Sequence, residues 1–157
     1  MNGNLRKLLD TINVKDDVIL EYGLMDEIEV DPIQNTWLFS FVFERPIPII
    51  RYRNFINHLR ELPKIIESVE HVAYRIVFQT ISDQDLLDYY QYVIDVLIDE
   101  DKRYLPLRDY QTDIENGCIK IMVPPGARTA SMFRKDIEAE LEHNGFATTV
   151  RIEVDDK

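Results

Sequence analysis

Residues 25–44 carry the most distinctive pattern of hydrophobic and polar positions in this sequence. Ile28 and Val30 alternate with acidic residues, a polar turn follows, and a dense apolar run occupies residues 37–43. This pattern predicts a β-hairpin. Because both alternating sets of positions in the second strand are apolar, we expect that strand to be central in its sheet and covered on both faces, with Trp37 mostly buried.

Helical spacing and strand alternation predict the elements in the rest of the chain. Helices are predicted at residues 5–12, 49–62, 83–98 and 130–141, an ambiguous segment at 16–22, and strands at 72–78, 118–123 and 148–154. Pro63 is expected to end the second helix, and Gly145 to follow the last one as its C′ residue. Residues 104–117 are predicted to be irregular, because Asn116 and Gly117 break regular structure.

This order of elements indicates an α+β fold. We expect a layered sandwich, with a mixed β-sheet and helices packed on it. A chain of 157 residues is long enough for one domain. We therefore expect residues 1–157 to form a single α+β domain, with the alternative of two small subdomains that meet near residue 80. The sequence does not determine the strand order of the sheet.

Charge and cysteine content exclude several classes of protein. The formal net charge is −11, which argues against a general DNA-binding domain, because such domains use Lys and Arg to neutralise phosphates. The single cysteine, Cys118, excludes an internal disulfide and a multi-cysteine metal site. We expect it to be a buried thiol on a strand.

The sequence also predicts where the protein resides. The N-terminal segment lacks the apolar region of a signal peptide, and no apolar run reaches the ~20 residues that a membrane-spanning helix needs. We therefore expect a cytoplasmic protein without membrane contact. The chain stops directly after a predicted strand, so residue 157 is either a native end or a boundary within a longer protein.

The sequence does not group the residues that could support catalysis or bind a metal. None of His58, His71 and His143 has a second histidine or cysteine at ligand spacing. Residues 82–101 contain seven acidic and no basic residues. These acids occupy the face opposite the apolar stripe of one helix, whereas metal-dependent phosphoryl transfer uses carboxylates from separate elements. We therefore predict no catalytic, cofactor-binding or metal site here, and no nuclease or polymerase activity of this chain.

Two charged segments remain as candidate binding surfaces. The acidic helix could contact a basic partner through Asp85, Asp88 and Asp95. The basic segment at residues 45–64 could contact a single-stranded nucleic acid, mainly through Arg51 and Arg53. The aromatic residues within that basic segment fall on the apolar face of its predicted helix, however, which favours a place in the core.

The turn at residues 124–129 has two interpretations. It precedes a predicted helix, and backbone amides at a helix N-terminus can hold an anion. The phosphate-loop pattern of Gly, four residues and Gly-Lys-Ser/Thr is absent, as is the Gly-x-x-Gly clamp of KH domains. A plain turn in which Thr129 caps the helix is therefore the favoured interpretation.

Short motifs in a characteristic order connect the chain with a known family. They are the lead-in Lys15–Leu20, Ile28-Glu29-Val30, Asn35-Thr36-Trp37, an apolar strand closed by Pro46, Phe55-Ile56 in a helix, and Asn144-Gly145-Phe146 before a last strand and an acidic tail. In this order and spacing the chain resembles the N-terminal region of the PolC-type DNA polymerase III alpha subunit. The resemblance covers nearly all 157 residues.

The resemblance implies a role in bacterial DNA replication. The full-length protein is a DNA-directed DNA polymerase with 3′–5′ exonuclease activity, and its catalytic carboxylates lie in regions that are missing here. The N-terminal region would then be a non-catalytic interaction domain with a KH-like fold, which tethers the polymerase in the replisome through the clamp-loader tau subunit. No catalytic residue and no cofactor carry over to this chain, and direct DNA binding is expected to be weak or absent.

Two alternatives stay open at this point. One is a single-stranded nucleic-acid-binding module that uses residues 45–64. The other is a stand-alone enzyme or ligand-binding sandwich, which would require a deep pocket with converging polar groups. The sequence does not identify the site on the partner or the oligomeric state.

Overall fold

The computed structural model describes residues 3–126 and 130–154. The chain divides into two compact units, residues 1–80 and residues 81–157. The elements in chain order are α1 (Gly3–Thr11), α2 (Asp17–Tyr22), β1 (Gly23–Asp31), β2 (Thr36–Phe43), α3 (Ile49–Arg60), α4 (Leu62–Ile65), β3 (His71–Phe78), α5 (Asp83–Glu100), a 3₁₀ helix (Lys102–Arg108), β4 (Gln111–Glu115), β5 (Cys118–Val123), a second 3₁₀ helix (Ala130–Phe133), α6 (Arg134–His143) and β6 (Val150–Val154).

Unit 1 contains a three-stranded sheet in the order β1-β2-β3. β1 and β2 form the predicted antiparallel hairpin, and β2 pairs with β3 in parallel. In the turn of the hairpin, the Asp31 carboxylate accepts hydrogen bonds from the backbone N–H groups of Ile33 (3.0 Å) and Gln34 (3.3 Å). A parallel pair requires a crossover connection, and α3 and α4 supply it between β2 and β3.

The core of unit 1 is built on alternate residues of β2. Phe39, Phe41 and Phe43 are buried on one face of the sheet, and the ring of Phe55 from α3 meets Phe41 edge-on at 5.2 Å. The apolar spacing of this helix predicts that Tyr52, Phe55, Ile56 and Leu59 share its inner face, and all four are buried. Trp37 lies on this central strand, as predicted, but it is half-buried rather than enclosed like the phenylalanines.

The second face of this sheet is less covered than the sequence suggested. Leu24, Val42 and Val77 form one row across the three strands, and Leu24 and Val77 are exposed. The prediction that β2 is covered on both faces is therefore wrong. An apolar run fixes which strand is central, but it does not show whether a second layer covers the sheet.

Gly23 joins α2 directly to β1, and it lies close to atoms of Ile19 and Phe43. A Cβ atom at this position would lie 2.6 Å from the Ile19 carbonyl oxygen and 2.6 Å from Cε1 of Phe43. Because one neighbour is backbone and the other is a buried ring, we expect Gly23→Ala to lower the free energy of unfolding by about 1–3 kcal/mol through overpacking.

The matched control for this prediction is Gly3→Ala, because a Cβ at Gly3 meets nothing within 4 Å. Urea denaturation of both variants measures the effect. Equal midpoints for the two variants would show that the close approach at Gly23 relaxes without cost.

Unit 2 contains a second three-stranded sheet in the order β4-β5-β6. α5 starts with a capping box, in which Ser82 Oγ accepts the Asp85 N–H (3.1 Å) and the Asp85 carboxylate accepts the Ser82 N–H (3.1 Å). α6 ends as predicted with Gly145 at C′ and a φ of 95°. The Phe146 N–H donates to the Leu141 carbonyl at 2.8 Å, which is the 6→1 hydrogen bond of a Schellman motif.

Several sequence predictions for these regions need correction. Residues 104–117 are not irregular, since most of a 3₁₀ helix and all of β4 lie there. Asn116 and Gly117 both have positive φ angles (52° and 74°), which matches the two-residue turn favoured in β-hairpins. Pro63 does not end a helix but lies in the first turn of α4, where a missing N–H costs nothing. Cys118 is half-buried on β5 rather than enclosed.

The α+β class is confirmed, with two small mixed sheets in place of the single sheet that was expected. Both units share one topology: helix, two antiparallel strands, helix, and a third strand parallel to the second. The sequence contains no repeat that indicates this shared topology. Whether the units are KH-like beyond this arrangement stays a prediction.

Candidate interaction surfaces

The hairpin of unit 1 exposes apolar side chains on β1 and in its turn. Ile28, Val30 and Ile33 are 41%, 49% and 92% exposed. Ile28 lies opposite Phe39 and Val30 lies opposite Trp37, so they continue the row of core aromatics outward along the hairpin. We call Ile28, Val30, Ile33 and Trp37 the hairpin surface.

The acidic residues of β1 lie mainly on the face of the sheet opposite to Ile28 and Val30, because Glu27, Glu29 and Asp31 alternate with these residues along the strand. Strand β1 also carries four exposed acidic residues, which are Asp26, Glu27, Glu29 and Asp31. Exposed apolar residues with a polar rim are typical of protein-binding surfaces. The same charges discourage unwanted pairing of β1, which is an edge strand. The hairpin surface therefore suits a partner that offers apolar groups, and the acids of the same strand favour a partner with basic groups nearby.

The acidic helix α5 places its three candidate residues on one side, because they are spaced three and seven positions apart. Asp85 is occupied by the capping box at Ser82. The Asp88 carboxylate accepts a hydrogen bond from Gln84 Nε2 (2.9 Å). Asp95 accepts one from Arg108 Nη2 (3.2 Å). All three are half-buried, so they form a less free surface than the charge count alone suggests. Their contact with a partner stays a prediction.

The basic segment at residues 45–64 does not form a single patch. Arg51 Nη1 lies 2.8 Å from Asp16 Oδ1, and this carboxylate also caps α2 by accepting the Val18 N–H (2.9 Å). Arg53 is exposed, but it follows Arg51 by two residues and therefore lies about 200° around α3 from it.

The other cations of this segment also have intramolecular partners. The Arg45 guanidinium stacks on the Tyr22 ring at 4.2 Å and donates to its hydroxyl, and Arg60 Nη2 donates to the Tyr74 hydroxyl at 3.2 Å. Tyr52 and Phe55 are both fully buried, so they offer no ring on which a base could stack. Nucleic-acid contact by Arg51 and Arg53 stays a prediction.

The remaining candidates have local roles or cannot be placed. His58 Nδ1 lies 2.9 Å from the Ile12 carbonyl oxygen. Within residues 3–126 and 130–154, no three His, Cys, Asp or Glu side chains are grouped as a metal ion would require. No helix in the described part of the chain is long and apolar enough to cross a membrane. The predicted cap Thr129 lies outside the described residues.

A comparison with known protein families gives a match for most of unit 1. Residues 4–71 match the family described as DNA polymerase III polC-type N-terminus I. This segment belongs to that family. No curated protein matches the chain. The PolC-type segment, residues 4–71, runs from α1 to the first residue of β3, so it includes the whole hairpin surface as well as Arg51 and Arg53.

The match confirms the resemblance that rested on Ile28-Glu29-Val30 and Asn35-Thr36-Trp37, and it assigns the PolC-type segment to a polymerase of DNA replication. The later motif Asn144-Gly145-Phe146 and the acidic helix α5 lie beyond the matched residues. The hairpin surface was missed from the sequence because alternation predicts which residues share a face, but not how far the helices cover that face. The acidic residues that alternate with Ile28 and Val30, which are Glu27, Glu29 and Asp31, were the available signal of an edge strand.

Proposed function

We propose that this chain is a non-catalytic, cytoplasmic protein-interaction domain of a PolC-type replicative polymerase, which tethers the polymerase in the replisome through the clamp-loader tau subunit. The observation that carries the proposal is the hairpin surface within the PolC-type segment. Its apolar side chains are exposed on a strand that is otherwise held rigidly by its hairpin partner, so binding to them requires little ordering of the backbone.

The charge of the chain favours a protein ligand over a nucleic acid. The net charge is −11, and four exposed acidic residues lie on the same strand as Ile28 and Val30. Such a surface repels phosphates and accelerates encounter with basic protein surfaces. Three cations of the basic segment, Arg51, Arg45 and Arg60, are engaged with Asp16, Tyr22 and Tyr74 instead.

The test replaces the apolar side chains of the hairpin surface and measures binding to purified tau by calorimetry. The variant Ile28→Thr, Val30→Thr, Ile33→Ser keeps β-branched residues on β1, so the strand is expected to form. We expect its affinity for tau to fall at least about tenfold, since central apolar anchors dominate binding energy. The matched control is Leu24→Thr with Val77→Thr, which changes exposed residues on the opposite face of the same sheet.

Two results would overturn the proposal. One is the absence of tau binding by the unmodified chain while single-stranded DNA binds with an affinity that falls steeply as salt increases, which is the signature of phosphate contacts. That result would favour the nucleic-acid module. The other is equal loss of tau binding in the hairpin variant and in its control, which would show that the hairpin surface has no specific role.

A further inference from the structure

A cleft in unit 2 lies between α5, the first 3₁₀ helix and β4. Its volume is about 460 Å³, which is within the usual range of ligand pockets, about 300–1,000 Å³. Leu87, Ile94 and Leu107 supply an apolar lining, and Asp95 and Arg108 stand at its polar side. Ile94 and Leu107 are buried, so the floor of the cleft is fixed by the core.

Tyr90 places a buried hydroxyl group beside this cleft. The residue is only 4% exposed, it lines the cleft, and its hydroxyl has no hydrogen-bond partner at bonding geometry among the described residues. The neighbouring Thr112 hydroxyl is directed at the Tyr110 carbonyl oxygen (3.5 Å). Burial raises the pKa of Tyr90, an effect that Thr112 partly offsets. The phenol therefore stays protonated and can donate.

An unsatisfied buried hydroxyl is costly, at about 1–3 kcal/mol. Native proteins keep few such groups, and each calls for an explanation. An acceptor that enters the cleft from outside would satisfy the Tyr90 hydroxyl. Such an acceptor must arrive with an apolar group, because aliphatic side chains surround it.

The α5 side of the cleft has an acidic border, whereas the lining itself carries one carboxylate, Asp95, and one guanidinium, Arg108. Asp95 lines the cleft, and Asp88 and Asp99 lie seven positions before it and four positions after it on α5, which puts all three on one side of the helix. Arg108 offsets only one of these charges, through its 3.2 Å contact with Asp95. Phosphates and carboxylates are disfavoured at such a border, whereas Lys and Arg are favoured.

We propose that this cleft binds a short extended segment of a partner protein, in which one aliphatic side chain enters the cleft, flanking Lys or Arg residues contact the acidic border, and a backbone carbonyl accepts a hydrogen bond from the Tyr90 hydroxyl. This inference deepens the proposed function and rests on it only in taking a protein as the ligand. It concerns a surface separate from the hairpin surface and outside the PolC-type segment.

The experiment titrates the whole chain with acetylated, amidated peptides and follows the methyl NMR signals of Leu87, Ile94 and Leu107. The probes are Lys-Lys-Leu-Lys-Lys, Lys-Lys-Ser-Lys-Lys and Glu-Glu-Leu-Glu-Glu. We expect saturable shifts of these methyl signals with the leucine-lysine peptide, and an affinity at least about tenfold higher than that of the serine peptide, because only leucine fills the apolar lining. The glutamate peptide should produce no shift.

The variant Tyr90→Phe isolates the hydroxyl. We expect it to weaken binding of the leucine-lysine peptide by about three- to tenfold and to change the unfolding midpoint little, because among the described residues the hydroxyl makes no hydrogen bond at bonding geometry. The matched control is Tyr104→Phe, which removes a hydroxyl bonded to Asp136 at 2.6 Å and should leave peptide affinity unchanged.

Three outcomes would overturn the inference. Equal binding of the leucine and serine peptides would show charge attraction alone. Shifts confined to signals outside the cleft would place the peptide elsewhere. Unchanged affinity of Tyr90→Phe, together with a lower unfolding midpoint, would show that the hydroxyl serves an ordered water. Because no tau is present, these results are independent of the hairpin experiment.

Discussion

Replacement of Phe41 by alanine is expected to lower the free energy of unfolding by about 3–5 kcal/mol. Phe41 is 1% exposed. Its ring lies 6.3 Å from that of Phe39, 6.4 Å from that of Phe43 and 5.2 Å from that of Phe55. The truncation therefore leaves a cavity at the centre of an aromatic row on a central strand, where neighbours on both sides along β2 are held by the sheet and cannot close the space.

Urea denaturation monitored by fluorescence measures this effect, because Trp37 is the one tryptophan of the chain and lies on the same strand. Ile33→Ala is the control, since Ile33 is 92% exposed and surface truncations change stability by less than about 0.5 kcal/mol. A loss below about 1 kcal/mol for Phe41→Ala would contradict the packing described for unit 1.

A comparable loss, again about 3–5 kcal/mol, is expected for Phe146→Ala in unit 2. The Phe146 ring lies 4.8 Å from that of Tyr89 on α5. Its side chain also follows the left-handed Gly145, and both Phe146 and Leu141 are buried, which matches the hydrophobic contact that accompanies a Schellman motif. The substitution therefore weakens both the packing between α5 and α6 and the end of α6.

Hydrogen exchange of peptides from residues 81–154 measures this loss as faster exchange in α5 and α6. Met132→Ala is the control, because Met132 is 69% exposed. If exchange in α6 were as slow in Phe146→Ala as in the control, the terminal contact of Phe146 would not hold this helix.

Elements with a strong local signal were predictable from the sequence. α5 has a capping residue, acids in its first turn and four turns of regular apolar spacing. β5 matches its predicted bounds because an apolar run is enclosed between two turns. The end of α6 was predicted from Gly145 alone, since few residues other than glycine accept a left-handed backbone cheaply.

The features that were not predicted from the sequence were missed for different physical reasons. β4 was missed because it is short and polar, although the Asn116-Gly117 pair is a strong hairpin signal. The roles of Arg51 and Asp95 were not predictable, because their partners Asp16 and Arg108 are 35 and 13 positions away. The cleft could not be predicted from the sequence for the same reason, since the fold brings Tyr90, Leu107 and Thr112 together from three elements.

The topology shared by the two units has a consequence for biosynthesis. Unit 1 contains every strand of its own sheet before residue 80, so a nascent chain can complete this core while residues 81–157 are still being translated. N-terminal domains commonly fold first as synthesis proceeds, at about 5–20 residues per second. During that interval the acidic residues of β1 would keep its open edge from pairing with neighbouring nascent chains. The acidic residues of β1 would thus protect the emerging polypeptide before any partner is present.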